Sequence, residues 1–524
     1  MLGFSWPETG GFMPFIFLGF VPLLFIQTEL QQQQKRGMFA YAYIAFFIWN
    51  FISTWWIYCV NENIITKLVS AGSAILINPF FMACVFMLFH FISRKAGARI
   101  GKLAFITFWI AFEYIHLNWD LSYPWLNLGN AFANDIKWIQ WYEYTGAFGG
   151  TLWILVSNVI IFKLLQSILF RDHRLLFNSV ALLLLIAVPS IISFVIYNNY
   201  QESGHDVNIV AVQPNIDPYN EKYSRNSASI QVEKFLTLSD KKIDETTNYI
   251  IGPETALPGN IWVDEVAKSP IYLTLRNYLK KYPNISIVLG ASMGKMYAPD
   301  EEIPPTARQP VKGKRWYDFY NSAIQVDTTK RIQYYHKSKL VLGVEMMPFP
   351  SFFRNFQDAI FDLGGTTGSL GTQKERSVFI SVDDATIIAP VICWESVYGE
   401  YVCEYINKGA QLIFIMTNDG WWDDTPGYRQ HMAYARLRAI ETRRSVARSA
   451  NTGISCFINQ RGDILQKTKW WTANAIKGTL KANSSLTFYT KAGDYIARIS
   501  SFIAGLLLII AIVKKFIYKR NQVY

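Results

Sequence analysis

The hydrophobic residues of this chain are concentrated in seven stretches. Six lie within the first two hundred residues and one lies near the C-terminus, at approximately 11–26, 38–60, 68–92, 103–118, 146–170, 175–197 and 495–513. Because a bilayer core about 30 Å thick needs roughly 20 apolar helical residues, these stretches predict seven membrane-spanning helices. Buried core helices are the alternative for the two short stretches, 11–26 and 103–118. The residues before the first stretch include Glu8 but no Lys or Arg, so we expect a retained helix rather than a signal peptide.

The basic residues between these stretches predict how the chain crosses the membrane. Lys and Arg gather after the first, third and fifth stretches and in the C-terminal tail, at Lys35, Arg36, Arg94, Lys95, Arg99, Lys102, Arg171, Arg174, Lys514, Lys515, Lys519 and Arg520. Seven spans place all four groups on one side of the membrane, which the positive-inside rule assigns to the cytoplasm. The N-terminus and the long polar segment 201–494 are then expected outside.

The polar segment 201–494 has a different pattern. Short runs rich in β-branched residues alternate with polar, helix-like stretches; these runs are 207–213, 249–252, 285–290, 385–393 and 412–417. The runs 322–326 and 331–336 predict a hairpin, and 428–446 predicts a helix. This alternation predicts an α/β domain with a mixed sheet. We therefore expect a helical membrane domain at 1–200, an α/β domain at 201–494, and a last helix with a basic tail at 495–524.

Composition narrows the class of protein. Of the 524 residues, 51% are hydrophobic and 17% are charged, which excludes intrinsic disorder. Five cysteines are too few, in a chain of this length, for a disulfide scaffold. The six histidines show no metal-ligand spacing such as HExxH, so we expect no metal and no other cofactor. The net charge of +11 is largely explained by the cytoplasmic loops and requires no nucleic-acid partner.

Three side chains at or beside the ends of predicted strands carry the candidate chemistry. Glu254 follows the strand at 249–252, Lys337 follows the hairpin, and Cys393 ends the strand at 385–393. Each alone has a plainer explanation, namely a capping carboxylate, a solvated lysine and a small core residue. Together they fit covalent catalysis, because a carboxylate can take the thiol proton and a lysine can stabilise the thiolate and the oxyanion. Lys339 we interpret as solvated.

The motifs around these residues resemble those of the carbon–nitrogen hydrolase, or nitrilase, superfamily, whose catalytic triad is Glu-Lys-Cys. With the membrane stretches included, nearly the whole chain is similar to the membrane-embedded apolipoprotein N-acyltransferase family. The supporting strings are YPWLNLG at 123–129, QPNI at 213–216, PETALP at 253–258, CWE at 393–395, NDGW at 418–421 and QHMA at 430–433. The resemblance implies that the polar segment folds as an αββα sandwich.

The resemblance also implies roles for particular residues. Glu254 would be the general base, Lys337 the oxyanion stabiliser and Cys393 the nucleophile that becomes acylated. Glu345 matches a second family glutamate that supports the lysine, and Glu395 matches the carboxylate after the family's Cys-aromatic pair.

Three features depart from the family pattern. Trp394 stands where the family usually has Tyr, and Tyr223 aligns with a family Trp, so both positions keep an aromatic ring of different shape. The family is described with eight helices and a cytoplasmic N-terminus, whereas the pattern here predicts seven helices and an outward N-terminus. Either this lineage lacks one N-terminal helix or the assigned start codon is late.

The implied reaction transfers an acyl chain from a phospholipid to Cys393 and then to the α-amine of a diacylglyceryl-apolipoprotein. We expect a monomer in the inner membrane of a bacterium, with its catalytic domain on the periplasmic side and without a cofactor. Aromatic residues beyond two of the motifs fit either an apolar chamber or ordinary packing; they are Phe349, Phe352, Phe353, Phe356, Trp421 and Trp422. Two other functions stay open: a membrane-anchored amidase or nitrilase, and a non-catalytic transporter or scaffold.

Overall fold

The computed structural model describes residues 1–60, 64–222, 227–309, 315–346 and 369–520. The chain divides into two compact units. The first contains Met1–Tyr58, Lys67–Tyr200 and Ala492–Tyr524, and the second contains Cys59–Thr66 and Gln201–Lys491. The predicted position of Tyr223, and those of Phe349, Phe352, Phe353 and Phe356, lie outside the described residues.

The first unit is helical. Its helices are α1 (Leu2–Ser5), α2 (Val21–Gln32), α3 (Met38–Thr54), α4 (Ile64–Gly72), α5 (Asn78–Ala96), α6 (Ala98–Leu117), α7 (Tyr142–Thr145), α8 (Ala147–Leu169), α9 (Leu175–Asn199) and the C-terminal helix (Tyr495–Arg520). Aromatic rings fill its interior: the ring centroid of Trp109 lies 4.8 Å from that of Phe20 and 5.2 Å from that of Phe46. Large apolar side chains on the outside of α9 are exposed, as expected for a surface that faces lipid.

Seven helical segments among the described residues are long and apolar enough to cross a membrane. They are Met13–Gln32, Met38–Cys59, Ser73–Ala96, Ala98–Leu117, Ala147–Leu169, Leu175–Asn199 and Tyr495–Lys514. The two stretches that looked short are each part of a segment of 20 residues. The fourth starts at Ala98 rather than 103 because its first turn contains polar residues, which hydropathy alone does not count as part of a span.

The second unit contains thirteen strands among its described residues. They are β1 (His205–Gln213), β2 (Tyr249–Ile251), β3 (Leu257–Trp262), β4 (Ser286–Met296), β5 (Tyr317–Val326), β6 (Gln333–His336), β7 (Phe379–Ile380), β8 (Ile387–Ile392), β9 (Leu412–Thr417), β10 (Ser445–Ala450), β11 (Cys456–Ile458), β12 (Ile464–Lys467) and β13 (Asn474–Ala482). One sheet has the order β13-β1-β2-β4-β5-β6, with β3 also paired to β4; the other has the order β12-β11-β10-β9-β8-β7. The predicted hairpin is the antiparallel pair β5–β6.

Helices cover both sheets. The helices of this unit are α10 (Ser227–Asp240), α11 (Pro270–Leu279), α12 (Gly399–Asn407), α13 (Pro426–Thr442) and α14 (Phe488–Ala492). Apolar residues of α10 and α11 pack on the first sheet in one buried cluster. The two sheets face each other, with the ring of Tyr249 on β2 5.1 Å from that of Phe414 on β9. This layered arrangement confirms the expected α/β sandwich, and the first unit confirms the expected helices of membrane-spanning length.

The ends of three strands position the candidate chemistry. Strand β2 ends at Ile251, three residues before Glu254, and β6 ends at His336, directly before Lys337. Strand β8 ends at Ile392, so Cys393 does not close the strand as predicted but begins a 3-10 turn, Cys393–Val397. Strands β8 and β9 are parallel, as are β1, β2 and β4, so polar side chains gather beyond their carboxyl ends.

Candidate active site

A buried lysine joins two carboxylates in the first sheet. The Nζ atom of Lys337 lies 3.0 Å from Glu254 Oε1 and 2.9 Å from Glu345 Oε2. The amide of Asn321, on β5, donates to both carboxylates at 2.7 Å. Glu345 is itself fixed by the backbone N–H of Val341, which donates to its Oε2 at 2.9 Å. The predicted base, lysine and supporting glutamate are therefore in direct contact.

The turn that carries Glu254 depends on a glycine in the neighbouring strand. Thr255 has φ +46°, in the left-handed region. The backbone of this turn passes so close to Gly290 on β4 that a Cβ there would lie 2.4 Å from Thr255 N and 2.6 Å from Glu254 Cα. The N–H of Asn418 donates to Glu254 Oε2 at 3.1 Å, so the carboxylate also contacts the loop after β9.

Cys393 lies at the start of a tight turn at the end of β8. Its φ is +48°, a left-handed conformation that L-residues with a side chain rarely adopt. The residue is only 8% exposed, and the charges of Glu254 and Lys337 both act on its thiol. The structure therefore brings the three predicted catalytic residues into one electrostatic environment.

The charges of this site follow from burial and pairing. Burial acts to raise the pKa of Glu254, but the Lys337 charge and the Asn321 hydrogen bond outweigh it and hold the pKa below its ordinary value. Burial acts to lower the pKa of Lys337, and the two carboxylates raise it well above its ordinary value. Burial and the Glu254 charge raise the pKa of the Cys393 thiol. The resting site thus contains an ionised pair beside a neutral thiol.

Glu395 has a different place from the three catalytic candidates. It is fully buried, and its Oε1 accepts from Tyr335 Oη at 2.7 Å and from Ser338 N at 2.8 Å. Its Oε2 accepts from Ile392 N at 2.9 Å. One carboxylate therefore links the residue after Lys337 to the residue before Cys393, which fixes the spacing between these two segments.

Two further predicted positions lie close to this site. Trp394 is 9% exposed, and its Nε1 donates to Tyr398 Oη at 3.0 Å. Lys339, interpreted as solvated, is instead partly covered, with its Nζ 4.7 Å from the ring centroid of Tyr398. Burial lowers the pKa of Lys339. The side chain of this second lysine therefore contacts an aromatic ring rather than either catalytic carboxylate.

The sequence reasoning missed two polar residues at the site. Asn321 lies in a strand whose other residues are mostly buried. An isolated amide in such a strand needs a polar partner, and this is the signal in the sequence that could have identified it. Lys222 is 2% exposed, and its Nζ donates to the backbone oxygen of Glu254 at 3.3 Å. Burial lowers its pKa to about 8. Its neighbours in sequence are polar, so nothing in the pattern distinguished it from a solvated lysine.

Metal binding has no support in the described part of the chain. Across those ranges, no group of three or more His, Cys, Asp or Glu side chains could hold a metal ion. The chemistry that these residues can perform by themselves is nucleophilic attack by a thiol, assisted by a carboxylate base and a lysine cation.

Comparison with known protein families agrees with this geometry. A family described as "Carbon-nitrogen hydrolase" matches residues 209–486, and one described as "Apolipoprotein N-acyltransferase N-terminal domain" matches residues 1–160. The first match covers most of the second unit and more than half of the chain. The fold and the site thus define a carbon–nitrogen hydrolase domain that follows a helical membrane domain.

Relatives with the same organisation match along the full length. An apolipoprotein N-acyltransferase of Chlorobaculum tepidum is 28% identical over 98% of this chain and 95% of its own. Those of Geobacter metallireducens and Treponema denticola are 24% and 25% identical, over 95% and 98% of this chain and 90% and 94% of their own. The chain belongs to the carbon–nitrogen hydrolase family and, within it, to the apolipoprotein N-acyltransferases, which are acyltransferases.

Two solved structures match about half of the chain at low similarity. A carbon–nitrogen hydrolase superfamily protein from Xanthomonas campestris is 15% identical, with a TM-score of 0.36, over 53% of this chain and 91% of its own. Nit3 of Saccharomyces cerevisiae is 14% identical, with a TM-score of 0.36, over 54% of this chain and 93% of its own.

Proposed function

We propose that this chain transfers a fatty acyl group from a membrane phospholipid to the N-terminal amine of a lipidated apolipoprotein, through a thioester on Cys393. The observation that carries the proposal is the ionised pair of Glu254 and Lys337 beside a buried thiol. The full-length similarity to apolipoprotein N-acyltransferases supports the choice of substrates.

The first step forms the thioester. Glu254 takes the thiol proton of Cys393 as the sulfur attacks the ester carbonyl of the phospholipid. Lys337 stabilises the negative charge that develops on the carbonyl oxygen. The carbon–oxygen bond then breaks, and the proton on Glu254 passes to the leaving oxygen, which releases a lysophospholipid.

The second step forms the amide. The neutral α-amine of the apolipoprotein's lipidated cysteine attacks the thioester carbonyl, and Glu254 accepts the proton that the nitrogen loses. The carbon–sulfur bond breaks, and this proton returns to the sulfur of Cys393. Because one carboxylate and one thiol serve both steps, a single small site can act on the two lipid substrates in turn.

The proposal places the catalytic unit outside the cytoplasm. Basic residues lie at the C-terminal ends of the first, third, fifth and seventh spans. In a chain that crosses the membrane seven times, these four ends are on the same side. The positive-inside rule assigns these ends to the cytoplasm. The second unit is joined to the opposite ends of the sixth and seventh spans. A reporter enzyme that is active only outside the cytoplasm should therefore be active when fused to the N-terminus, and its silence would contradict this topology.

The catalytic proposal is tested with the full-length chain in mixed micelles of detergent and diacyl phospholipid. The acceptor is a synthetic peptide that carries a diacylglyceryl cysteine with a free amine. Mass spectrometry should detect the N-acylated peptide and an equal amount of lysophospholipid. Cys393→Ala should form neither product, whereas Cys403→Ala, which removes another buried thiol, should retain activity.

Two results would contradict the proposal. The first is peptide acylation by Cys393→Ala at the wild-type rate. The second is hydrolysis of soluble amides by the wild-type protein without any peptide acylation, which would indicate an amidase.

A further inference from the structure

A second polar cluster lies next to Cys393. Asp419, His431 and Arg448 come from the loop after β9, from α13 and from β10, and each is at most 1% exposed. His431 Nδ1 lies 2.9 Å from Asp419 Oδ1. Arg448 pairs with the other carboxylate oxygen. The acyl transfer described above assigns no role to these three residues.

This cluster contacts the backbone of Cys393. His431 Nε2 lies 3.1 Å from the carbonyl oxygen of Cys393. Thr417 donates from its hydroxyl to Asp419 Oδ1 at 2.8 Å, and the Thr417 side chain acts to lower the pKa of the Cys393 thiol. Asp419 therefore holds the ring that contacts the backbone of Cys393, and it also fixes the hydroxyl of Thr417.

Cys393 requires such support because of its backbone conformation. A residue with a side chain at φ +48° is strained, and such a conformation persists only where surrounding contacts determine it. We propose that Asp419 and His431 are positioning residues that hold Cys393 in this conformation and so direct its thiol towards Glu254 and Lys337. This inference rests on the proposed role of Cys393 as the nucleophile.

The charge state of Asp419 suits this role. Burial acts to raise the pKa of its carboxyl, but the positive charge of Arg448 and the contact with His431 outweigh burial and hold the pKa well below its usual range. An ionised carboxylate accepts hydrogen bonds only, so Asp419 orients both the His431 ring and the Thr417 hydroxyl. Gly453 closes the space beside it, since a Cβ there would lie 2.7 Å from Asp419 Oδ2.

A competing interpretation is a serine hydrolase triad. Ser396 Oγ lies 3.1 Å from His431 Nε2, so Ser396, His431 and Asp419 are in the order that such a triad requires. Ser396 is only 1% exposed, however, and its hydroxyl donates to the carbonyl oxygen of Cys393 at 2.7 Å. Ser396 therefore stabilises the same turn, and its hydroxyl proton is held by the Cys393 carbonyl rather than given to His431.

The experiment measures alkylation of Cys393 by iodoacetamide in the full-length protein, which needs no acyl donor. In the wild-type background, Glu254→Gln should slow alkylation by about 10²-fold because the thiol loses its proton acceptor. His431→Leu should slow alkylation by about 10²-fold because the thiol is misplaced. His431→Gln, which keeps an N–H near the position of Nε2, should lose about tenfold or less. Asp419→Asn should lose more than His431→Gln, and Asp327→Asn, at a buried carboxylate remote from Cys393, should lose nothing.

The deciding quantity is the coupling between His431 and Glu254. If His431 aims the thiol, then Glu254→Gln should slow alkylation of the His431→Leu protein by less than about threefold. A full 10²-fold effect in that background, or wild-type alkylation of His431→Leu, would overturn the inference. If His431→Leu does not fold, the same double-mutant cycle on His431→Gln and Asp419→Asn gives the answer, with unchanged coupling as the contradicting result. Failure of acyl transfer with this coupling intact would refute the proposed function alone.

Discussion

Helices α9 and α13 differ in the residues that they bury: α9 exposes apolar side chains, whereas α13 buries polar ones. Helix α9 is almost entirely apolar, yet Leu176 and Leu183 are 75% and 65% exposed. In α13, 14 of 17 residues are buried, and they include His431, Arg438 and Glu441. Lipid solvates the first helix, whereas in the second His431 contacts Asp419 and Arg438 pairs with Glu441. The difference shows that burial in this chain follows the surroundings of a helix rather than its hydropathy.

The largest effect should come from Lys337, the buried lysine that joins two carboxylates. Lys337→Met should lower the rate of acyl transfer by about 10²–10³-fold, because the developing oxyanion loses its cation. The Lys337 charge also holds the pKa of Glu254 low, so in the variant this pKa rises and the acid limb of the pH–rate profile should move to higher pH. Lys339→Met is the matched control, since Lys339 contacts the ring of Tyr398 instead. Equal losses in the two variants would contradict the assignment.

The next effect tests pairing within α13. Glu441→Ala leaves the guanidinium of Arg438 buried without the carboxylate that lies 2.8 Å away, and should cost about 3–5 kcal/mol of unfolding free energy. Leu183→Ala on α9 should change this free energy by less than about 0.5 kcal/mol. Thermal unfolding of both variants in bilayer nanodiscs measures the difference. A similar cost for the two would break the comparison between the helices.

The third effect tests whether exposure means lipid or water. Leu184 on α9 is 54% exposed and Leu486 in the second unit is 41% exposed. Leu184→Lys should disfavour membrane insertion by about 2.5–3.5 kcal/mol, because its charge would lie in the bilayer. Leu486→Lys should be tolerated, since Leu486 lies outside the seven membrane-length segments. The inserted fraction of each variant in isolated membranes measures the effect, and equal insertion would show that α9 is not a span.

The pH dependence of alkylation tests whether Glu254 accepts the thiol proton. Burial and the Glu254 charge raise the pKa of the Cys393 thiol, whereas Lys337 holds the pKa of Glu254 below its ordinary value. Alkylation of the wild-type protein by iodoacetamide should therefore change less than about threefold between pH 7 and 9, because the ionised base is present throughout. In Glu254→Gln the rate should rise up to about tenfold per pH unit, because free thiolate is then required. A wild-type rate that rises as steeply as that of Glu254→Gln would show that Glu254 does not accept the proton.

The smallest effect is expected at Trp394. Trp394→Tyr removes the hydrogen bond from Nε1 to Tyr398 Oη and should cost about 0.5–1.5 kcal/mol of unfolding free energy. Acyl transfer should change little, because neither the Trp394 side chain nor that of Tyr398 contacts Glu254 or Lys337. A severe loss of activity with normal stability would instead give Trp394 a role at the substrate.

The fold was more accessible from the sequence than the site. Hydropathy found the spans because α9 and its neighbours must be apolar in lipid, and it failed only at polar ends such as Ala98. Short apolar runs between polar stretches predicted the hairpin and also the buried strand β9, whose predicted bounds, 412–417, are those of the structure. The β-branched pattern predicts Cys393 as the last residue of a strand. In the structure its φ of +48° ends the strand at Ile392, and a hydropathy pattern carries no information on backbone dihedral angles.

The contacts within the site depend on tertiary pairing. Glu254, Lys337 and Cys393 were proposed from their positions after strands and from resemblance, and only the fold shows that Lys337 joins two carboxylates. Lys222 and Asn321 were missed because a polar residue that will be buried looks the same in sequence as one that will be solvated. His431 and Asp419 lie in two of the strings that carry the family resemblance, but the contact of His431 with Cys393 requires the packing of α13 on β10 and on the turn Cys393–Val397.

The most direct test of the account is the mass of the full-length protein after incubation with a diacyl phospholipid alone. Without an acceptor amine, the reaction should stop at the thioester. We predict one added fatty acyl group per chain, mapped to Cys393, released by hydroxylamine and absent from Cys393→Ala. An unmodified chain, or an acyl group mapped to another residue, would contradict the claim that Cys393 carries the acyl group between the two lipid substrates.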